Sequence, residues 1–362
     1  MSAPSCGDIR TDTAPGAAFY RSDAAWTLAR ERVFVPSWQW LGHLGEVAAT
    51  QTLAPRTLLP GSLDEPLLLA RDAQGTLRCL SNVCTHRANL LVAAPCSAPH
   101  IRCGYHGRRF GLDGTVQASP GFTAQDGFPA PTDHLPQPAF GTWAGQGFAS
   151  LSPATPLADW LAPVEQRCGA LPGLQALRPA PARDADHVVQ AHWAVVVENY
   201  LDGLHIPFIH PGLNTAIDMG HYRYELFPGA CLQLALAREG EVAFAPPTDG
   251  PDAGLRVAAY YWWLFPNLML NIYPWGISVN VVLPESPERT TVQFRSLVWD
   301  EALLGQGAGG DLQRVQDEDA AVMQAVQLGL RARLWRPGRY AAQHESGIHH
   351  FHRLLKAALG EI

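Results

Sequence analysis

Apolar side chains recur at helical spacing in separate parts of the chain, and each of these parts predicts a helix. In the first, Trp26, Leu28, Val33 and Phe34 stand among polar positions, as they would in an amphipathic helix. The predicted helices cover residues 17–34, 193–204, 312–330 and 350–359.

Strands are predicted in two long regions, residues 38–150 and 222–299. The apolar runs at residues 66–70 and 76–80 flank the turn-forming segment Asp72-Ala73-Gln74-Gly75, which is a hairpin signature. Residues 152–186 between the two regions are rich in Pro and Ala, as expected for a surface connection.

The uncharged stretch at residues 257–283 is long enough to span a membrane. However, Pro266, Pro274, Gly276 and several asparagines interrupt it at turn-like intervals. Its pieces are rich in aromatic and β-branched residues, which favours buried strands. We therefore expect the core of a sheet and no membrane segment.

Composition narrows the function further. The 362 residues carry a formal net charge of −7 without basic runs, which argues against nucleic acid as a partner. Seven scattered cysteines are an odd number and suit a reducing compartment. No apolar signal segment is evident at the N-terminus, so we expect a cytoplasmic protein.

Two cysteine–histidine pairs form the strongest chemical signal. Cys84 and His86 read C-x-H, and Cys103 and His106 read C-x-x-H. Two thiolates and two imidazoles can hold one tetrahedral zinc, or a [2Fe–2S] cluster with cysteines on one iron and histidines on the other. Each loop gives one ligand of each type, which favours the cluster, and zinc remains the alternative.

A second constellation lies at the predicted helix 193–204, where Asp202, His205 and His210 read D-x-x-H-x-x-x-x-H. On an uninterrupted helix His210 would point away from His205. Pro207 removes this objection, because it ends or kinks the helix and lets His210 turn back. The histidines then predict a site for Fe(II), Zn(II) or Cu, the alternative being imidazoles that cap helix carbonyls.

Both constellations resemble one known family. Arg87 after the first pair and Gly104-Tyr105-His106-Gly107 around the second resemble the Rieske ferredoxin fold. The N-Y-x-D-x-x-H-x-x-x-x-H pattern, residues 199–210, resembles the mononuclear iron motif of Rieske non-haem iron oxygenases. The chain departs from the family pattern at Ala88, where Gly is usual, and at Arg108, where Trp is usual.

The resemblance implies that Cys84, His86, Cys103 and His106 bind a [2Fe–2S] cluster of the low-potential, oxygenase type. It also implies a mononuclear Fe(II) held by His205, His210 and a carboxylate much later in the chain. Asp319 lies within the apolar stripe of the predicted helix 312–330, whereas Asp317 and Glu318 fall off it. A carboxylate aimed into a core is costly unless paired or bound to metal. Asp319 is therefore the predicted third ligand, Glu318 is second choice, and an Asp paired with Arg or backbone donors is the alternative.

By the same resemblance Asp202 is a catalytic bridge and no ligand. It would hydrogen-bond His205 on one side and His106 of a neighbouring subunit on the other, since imidazoles that ligate metals donate their second N–H to a carboxylate. Such head-to-tail contacts close most simply in a homotrimer.

The implied activity is that of a catalytic α subunit. An NAD(P)H-dependent reductase or a ferredoxin would supply electrons through the cluster to the iron. With O2, the enzyme would hydroxylate or oxidatively demethylate a small organic substrate, either an aromatic compound or a methylated amine or acid. The alternatives are a Rieske-type electron-transfer protein without oxygenase activity and a zinc-stabilised binding protein.

The expected fold class is α+β. Residues 1–37 would be a helical segment that packs on the catalytic domain, residues 38–150 an all-β Rieske domain, and residues 151–362 a catalytic domain with an antiparallel sheet flanked by helices. His349, His350 and His352 are expected on a solvated or subunit-facing helix.

Overall fold

The computed structural model describes residues 7–360, which fold as two compact units. One unit is Val35–Leu157, and the other combines the described residues before Val35 with those after Leu157. The first unit is therefore inserted between two parts of the second. Within residues 7–360, no helix has both the length and the apolar content needed to cross a bilayer.

The Val35–Leu157 unit is made of strands, as predicted. They are β1 (Gln39–His43), β2 (Thr52–Leu58), β3 (Glu65–Arg71), β4 (Leu77–Ser81), β5 (Cys96–Ser97), β6 (Ile101–Arg102), β7 (Arg109–Phe110), β8 (Val116–Ala118), β9 (Ala139–Trp143) and β10 (Gln146–Ser150). All pairings are antiparallel, in sheets ordered β4-β3-β2-β5, β1-β10-β9 and β6-β7-β8.

The predicted hairpin joins β3 to β4. The carboxylate of Asp72 accepts hydrogen bonds from the backbone N–H groups of Gln74 and Thr76, and Gly75 takes φ +85°. Asp side chains commonly accept hydrogen bonds from the backbone of the following residues in turns, and Gly adopts positive φ without steric cost. The turn thus sets the register of the strand that leads into Cys84.

An antiparallel sheet of eight strands dominates the second unit. The strands are β11 (Arg178–Pro179), β12 (Ala185–Val189), β13 (Arg223–Phe227), β14 (Ala230–Leu236), β15 (Val257–Leu264), β16 (Leu268–Tyr273), β17 (Gly276–Ser286) and β18 (Arg289–Val298). Their order is β11-β18-β17-β16-β15-β14-β13, and β12 also pairs with β18. The uncharged stretch supplies β15, β16 and most of β17, so the expected sheet core is confirmed.

Helices flank this sheet in the same unit. They are α1 (Asp23–Ala29), α2 (Leu157–Cys168), α3 (Trp193–Leu201), α4 (Ile206–Ile209), α5 (Pro211–Ala216), α6 (Leu312–Gly329) and α7 (Ser346–Leu359). Ser22 caps α1, which continues as a π-helical turn over Arg30–Phe34. The first predicted helix therefore begins later than residue 17.

The prediction for the C-terminal histidines was wrong. His349 and His352 are only 7% and 6% exposed, because α7 packs against α3 and the N-terminal helical turn. Nε2 of His352 lies 2.8 Å from the Glu198 carboxylate, and Nε2 of His349 lies 2.8 Å from that of Asp12. These histidines are buried polar partners that hold the N- and C-terminal segments to α3.

Candidate metal centres and active site

The two cysteine–histidine loops have the same backbone construction. The N–H of Ala88 donates to the carbonyl of Cys84 (3.0 Å), and the N–H of Gly107 donates to the carbonyl of Cys103 (3.1 Å). Both donors have positive φ, +53° at Ala88 and +75° at Gly107. Ala88 adopts this left-handed conformation despite its Cβ, which costs free energy that glycine would not.

The two cysteine thiols lie in the core of the Val35–Leu157 unit, and the two histidine imidazoles lie toward its surface. Cys84 and Cys103 are buried in the same apolar cluster as Leu80 and Phe110. The rings of His86 and His106 lie at the surface side, with centroids 4.8 Å apart. Among the described residues, Nδ1 of His86 is buried without a hydrogen-bond partner. This donor set fits a [2Fe–2S] cluster, with an inner iron on sulfur and an outer iron on nitrogen.

Burial raises the pKa of the Cys84 thiol. Burial also raises the pKa of the Cys103 thiol. The backbone N–H groups of Tyr105 and His106 point at its sulfur and outweigh burial, so that the pKa of this thiol is lowered. Such N–H groups stabilise a thiolate, which is the form that binds metal.

His205, His210 and Asp319 meet in the second unit. Nε2 of His205 lies 3.1 Å from Nε2 of His210, which lies 3.0 Å from Oδ1 of Asp319. The third side, from His205 Nε2 to Asp319 Oδ1, is 3.5 Å. Ligand atoms about 2.1 Å from a metal and at right angles lie about 3 Å apart. The triangle therefore matches one face of a two-histidine, one-carboxylate iron site.

The helix break that brings His205 and His210 together lies at another position than predicted. Helix α3 ends at Leu201, well before Pro207, and Asp202 is its C-cap with φ −100° and ψ 105°. Pro207 instead stands in the first turn of α4, where its missing N–H has no helical partner to lose. The break between α3 and α4 brings the two imidazoles together.

Asp319 sits on the buried face of α6, together with Met323 and Gln327. Sequence reasoning missed the role of its neighbour Glu318, which falls off the apolar stripe and was only the second choice as a ligand. Oε2 of Glu318 lies 2.8 Å from Nδ1 of His210, and its Oε1 accepts from Nε of Arg314. The i, i+4 spacing of Arg314 and Glu318 was the only available signal.

The neighbouring carboxylates raise the pKa of both histidines. Burial lowers the pKa of His205, but Asp202 and Asp319 outweigh it and raise the pKa to about 9. Asp319 and Glu318 likewise raise the pKa of His210 against the effect of burial. Burial raises the pKa of Asp319, yet the two imidazoles bring it below its ordinary value. The site is thus electrostatically suited to positive charge.

Asp202 contacts His205 from the side opposite the triangle. Its Oδ2 lies 3.5 Å from Nδ1 of His205, and its Oδ1 accepts from the N–H of Leu204 at 2.7 Å. The hydroxyl of Tyr224 accepts from the N–H of Gly203 at 2.8 Å, which fixes the backbone between them. The side chain of Asp202 remains 24% exposed.

A cavity of about 100 Å³ opens beside the triangle. Two carboxylates and five aromatic side chains line it: Asp202, Asp319, Tyr200, Tyr222, Tyr261, Tyr273 and Phe294. Among the described residues that line it, none is Lys or Arg.

A polar row crosses the sheet under this cavity. Gln233, Tyr261, Asn271 and Ser278 face one another in register on β14 to β17. The hydroxyl of Tyr200 donates to the Asn271 side chain at 2.6 Å, and Nε2 of Gln233 donates to the Tyr200 carbonyl at 2.7 Å. The row therefore presents neutral polar groups, of which Asn271 and Gln233 are already hydrogen-bonded to Tyr200 of α3.

Comparison with known proteins supports both centres. Residues 37–130 match the Rieske [2Fe-2S] domain, and residues 174–361 match the ring hydroxylating alpha subunit (catalytic domain). Similar proteins include the chloroplastic choline monooxygenase of Arabidopsis thaliana, 28% identical over 94% of this chain and 82% of that protein. The carnitine monooxygenase oxygenase subunit of Escherichia coli K12 is also 28% identical, over 94% of this chain and 92% of its own length.

Solved structures agree on the fold. A quaternary ammonium Rieske monooxygenase in complex with L-carnitine gives a TM-score of 0.77 at 23% identity, covering 97% of each chain. A naphthalene 1,2-dioxygenase from Rhodococcus sp. gives 0.71 at 19% identity, covering 96% of this chain and 95% of the other.

The catalytic-domain match extends over more than half of the chain, which a zinc-stabilised binder or a simple electron carrier would not show. The chain therefore belongs to the ring-hydroxylating alpha-subunit family and is a Rieske non-haem iron oxygenase, an O2-dependent oxidoreductase with a [2Fe–2S] cluster and a mononuclear iron.

Proposed function

We propose that this enzyme hydroxylates or oxidatively demethylates a small methylated ammonium cation that carries no carboxylate. The observation that carries the proposal is the charge of the cavity. Two carboxylates and several aromatic faces line it, and its described lining holds no Lys or Arg. Aromatic faces attract a quaternary ammonium, whereas a substrate carboxylate would find no Lys or Arg partner in the described lining.

The size of the cavity supports a compact substrate. At about 100 Å³ it is small for a ligand site, which usually spans about 300–1,000 Å³. Several similar proteins are named for choline or carnitine, both of which are quaternary ammonium compounds. Of these two compounds, choline carries no carboxylate, and the charge of the cavity favours a substrate of that type.

We assign the metal ligands by residue. His205, His210 and Asp319 would hold the iron, and Cys84, His86, Cys103 and His106 the cluster. The iron, when bound, supplies the activation of O2. Glu318 would keep a proton on Nδ1 of His210, 2.8 Å away, so that Nε2 is free to bind the metal. The polar row and the tyrosines would orient the substrate and limit the water around it.

Asp202 would act as a positioning residue between the two redox centres. It contacts His205 and stays partly exposed, so it can meet a second group from outside its own chain. His106 is exposed as well. Exposed apolar side chains occur in both segments: Tyr105 precedes His106, and Phe208, 81% exposed, follows Asp202 by six residues. These surfaces support a head-to-tail homotrimer in which His106 of one subunit meets Asp202 of the next.

The wider assignment follows from the same proposal. Residues 38–150 would form the cluster-binding domain, and residues 151–362 the iron domain with the helical segment 1–37 packed on it. Of these ranges, residues 1–6, 361 and 362 lie outside the described part of the chain. An NAD(P)H-dependent reductase or a ferredoxin would reduce the cluster. The described cysteines are free, which fits a cytoplasmic location.

The test is a turnover screen of the trimeric holoenzyme with a Rieske reductase and NAD(P)H. Each pair of substrates would consist of a methylated amine and a matched compound that carries a carboxylate. One pair is choline, which has an alcohol group, and glycine betaine, which has a carboxylate in its place. A second pair is a tertiary amine and the N-methylated amino acid that corresponds to it. We expect O2 uptake with formaldehyde or aldehyde formation from the member without the acid. Preferential oxidation of the carboxylates, or of aromatic hydrocarbons, would contradict the proposed substrate class.

A further inference from the structure

Arg108 is a buried cation in the wall of the cluster-binding unit. Its side chain is only 2% exposed, and it lies two residues after His106 in the chain. Nε donates to Oγ of Ser119 at 3.1 Å, and Nη1 donates to Oδ1 of Asp133 at 3.0 Å. Burying a guanidinium costs free energy unless it is paired and hydrogen-bonded, as it is here.

Arg108 contacts both cysteine–histidine loops, the second through its backbone and the first through its guanidinium. The carbonyl of Arg108 accepts the N–H of Cys103 at 2.8 Å, and its Nη1 donates to Oγ1 of Thr85 at 3.0 Å. Thr85 stands between Cys84 and His86, and its own hydroxyl donates to the carbonyl of Asp133. One residue thus ties the second loop to the middle of the first.

An aromatic ring separates the guanidinium from the imidazole of His86. Cζ of Arg108 lies 5.1 Å from the centroid of Phe122, whose ring meets that of His86 edge-on at 5.4 Å. Phe128 flanks the guanidinium on another side at 5.5 Å. The positive charge is therefore held in a poorly solvated place close to both ligand loops.

The counter-charge lies farther out. The side chain of Asp133 is 20% exposed against 2% for Arg108, and its other oxygen accepts the N–H of Ala130 at 2.7 Å. The ion pair is thus a dipole whose positive end is buried against Thr85 and whose negative end faces solvent. Solvent screens the exposed end more strongly.

We propose that Arg108, as the inner pole of this ion pair, raises the reduction potential of the [2Fe–2S] cluster and fixes the two loops relative to each other. Reduction adds one negative charge to the cluster, and a nearby buried cation stabilises that state. The inference rests on the proposed cluster ligands. Its functional consequence is a cluster that accepts electrons from the reductase more readily than one with a neutral residue at this position.

The experiment is a redox titration of the full-length holoenzyme, followed by the visible absorption and the electron paramagnetic resonance of the cluster. Arg108→Gln should favour the oxidised state by at least about tenfold, a shift of about 59 mV to lower potential. Asp133→Asn should shift the potential the other way and by less. The double variant should stay below the wild type, because the inner charge is the closer one.

Arg109→Gln is the matched control, since Arg109 is the exposed neighbour of Arg108, and it should leave the potential unchanged. Equal potentials for wild type and Arg108→Gln at full cluster content would overturn the proposal. If Arg108→Gln loses the cluster, Asp133→Asn and Arg108→Lys decide. Asp133→Asn must raise the reduction potential, and Arg108→Lys must keep it near that of the wild type. Wild-type protein without labile sulfide would instead refute the cluster assignment itself.

Discussion

At the scale of single residues, the contact between Glu318 and His210 determines which nitrogen of the imidazole can bind metal. The carboxylate oxygen lies 2.8 Å from Nδ1, and Arg314 holds the other oxygen at 2.9 Å. A carboxylate next to Nδ1 keeps the proton there, so that the lone pair on Nε2 points toward Asp319. In the proposed assignment, Glu318 therefore orients a ligand without binding the metal.

Glu318→Gln should lower the affinity for Fe(II) by about 10- to 100-fold, because the oriented proton acceptor is lost. Competition against a chelator under anaerobic conditions measures this. Asp317→Asn is the matched control, since Asp317 is exposed and hydrogen-bonded to Gln313 of the same helix. This variant should bind iron as the wild type does. Equal losses in both variants would point to a general effect on α6.

Asp319→Ala should remove the mononuclear iron and leave the brown cluster spectrum intact, since the two sets of ligands belong to different units. Metal content per chain and the visible spectrum check both parts. If this variant kept its iron while Glu318→Gln lost it, Glu318 would be the ligand and Asp319 its support.

The contrast between these neighbours shows what the sequence could predict. The apolar stripe of α6 identified Asp319 as a carboxylate turned inward, and the structure buries it. The same helical wheel placed Glu318 outside the stripe. Glu318 contacts His210, which belongs to another segment, 108 positions earlier in the chain. A periodic pattern shows which way a side chain faces and not what reaches it from elsewhere.

At the scale of elements, α3 leads into the segment that holds Asp202, His205 and His210, and it begins at a buried histidine. His192 is the N-cap, where Nδ1 accepts the N–H of Ala194 at 3.2 Å. It is 1% exposed and packs against the rings of Phe19 and Tyr20. Burial lowers the pKa of His192 to about 3, so it is neutral in the folded protein.

This histidine should make the unit sensitive to acid. Below about pH 6.5 the unfolded chain protonates His192 and the folded one does not, so stability falls until the pH nears 3. The loss approaches about 1.4 kcal/mol per pH unit. His192→Asn keeps a capping oxygen and cannot titrate there, so it should be less stable at pH 7 and lose less on acidification.

Denaturant unfolding at pH 7, 5.5 and 4.5, with wild type and His192→Asn compared at each pH, measures the difference. The gap in free energy of unfolding should narrow as the pH falls. A constant gap would mean that His192 acts only through its packing.

The ends of α3 and α4 were harder to predict than their existence. Proline chemistry at residue 207 suggested a break there, yet the helix already ends at Leu201. The extended backbone of Asp202 and the hydrogen bond from Gly203 to the hydroxyl of Tyr224 accompany that end. Tyr224 belongs to β13, so the stopping point depends on a tertiary contact that local propensity does not contain.

At the scale of the whole molecule, the two metal centres belong to separate units of the chain, and catalysis requires an electron to pass between them. The proposed homotrimer predicts that it passes from one subunit's cluster to the next subunit's iron. Asp202→Asn should then leave both metals bound and slow turnover severely, because the bridging carboxylate is lost. Single-turnover oxidation of the pre-reduced cluster measures this step, and an unchanged rate would contradict the bridge.

Mixed oligomers test the direction of transfer directly. Cys103→Ala subunits should keep iron and lack the cluster, while Asp319→Ala subunits keep the cluster and lack iron. Neither is active alone. Co-expression with two different tags and purification on both selects rings that contain each type. One of the three junctions in such a ring joins a cluster to an iron in the productive direction, so about a third of wild-type activity should return. Mixed rings that carry both metals and remain inactive would place the whole path within one chain.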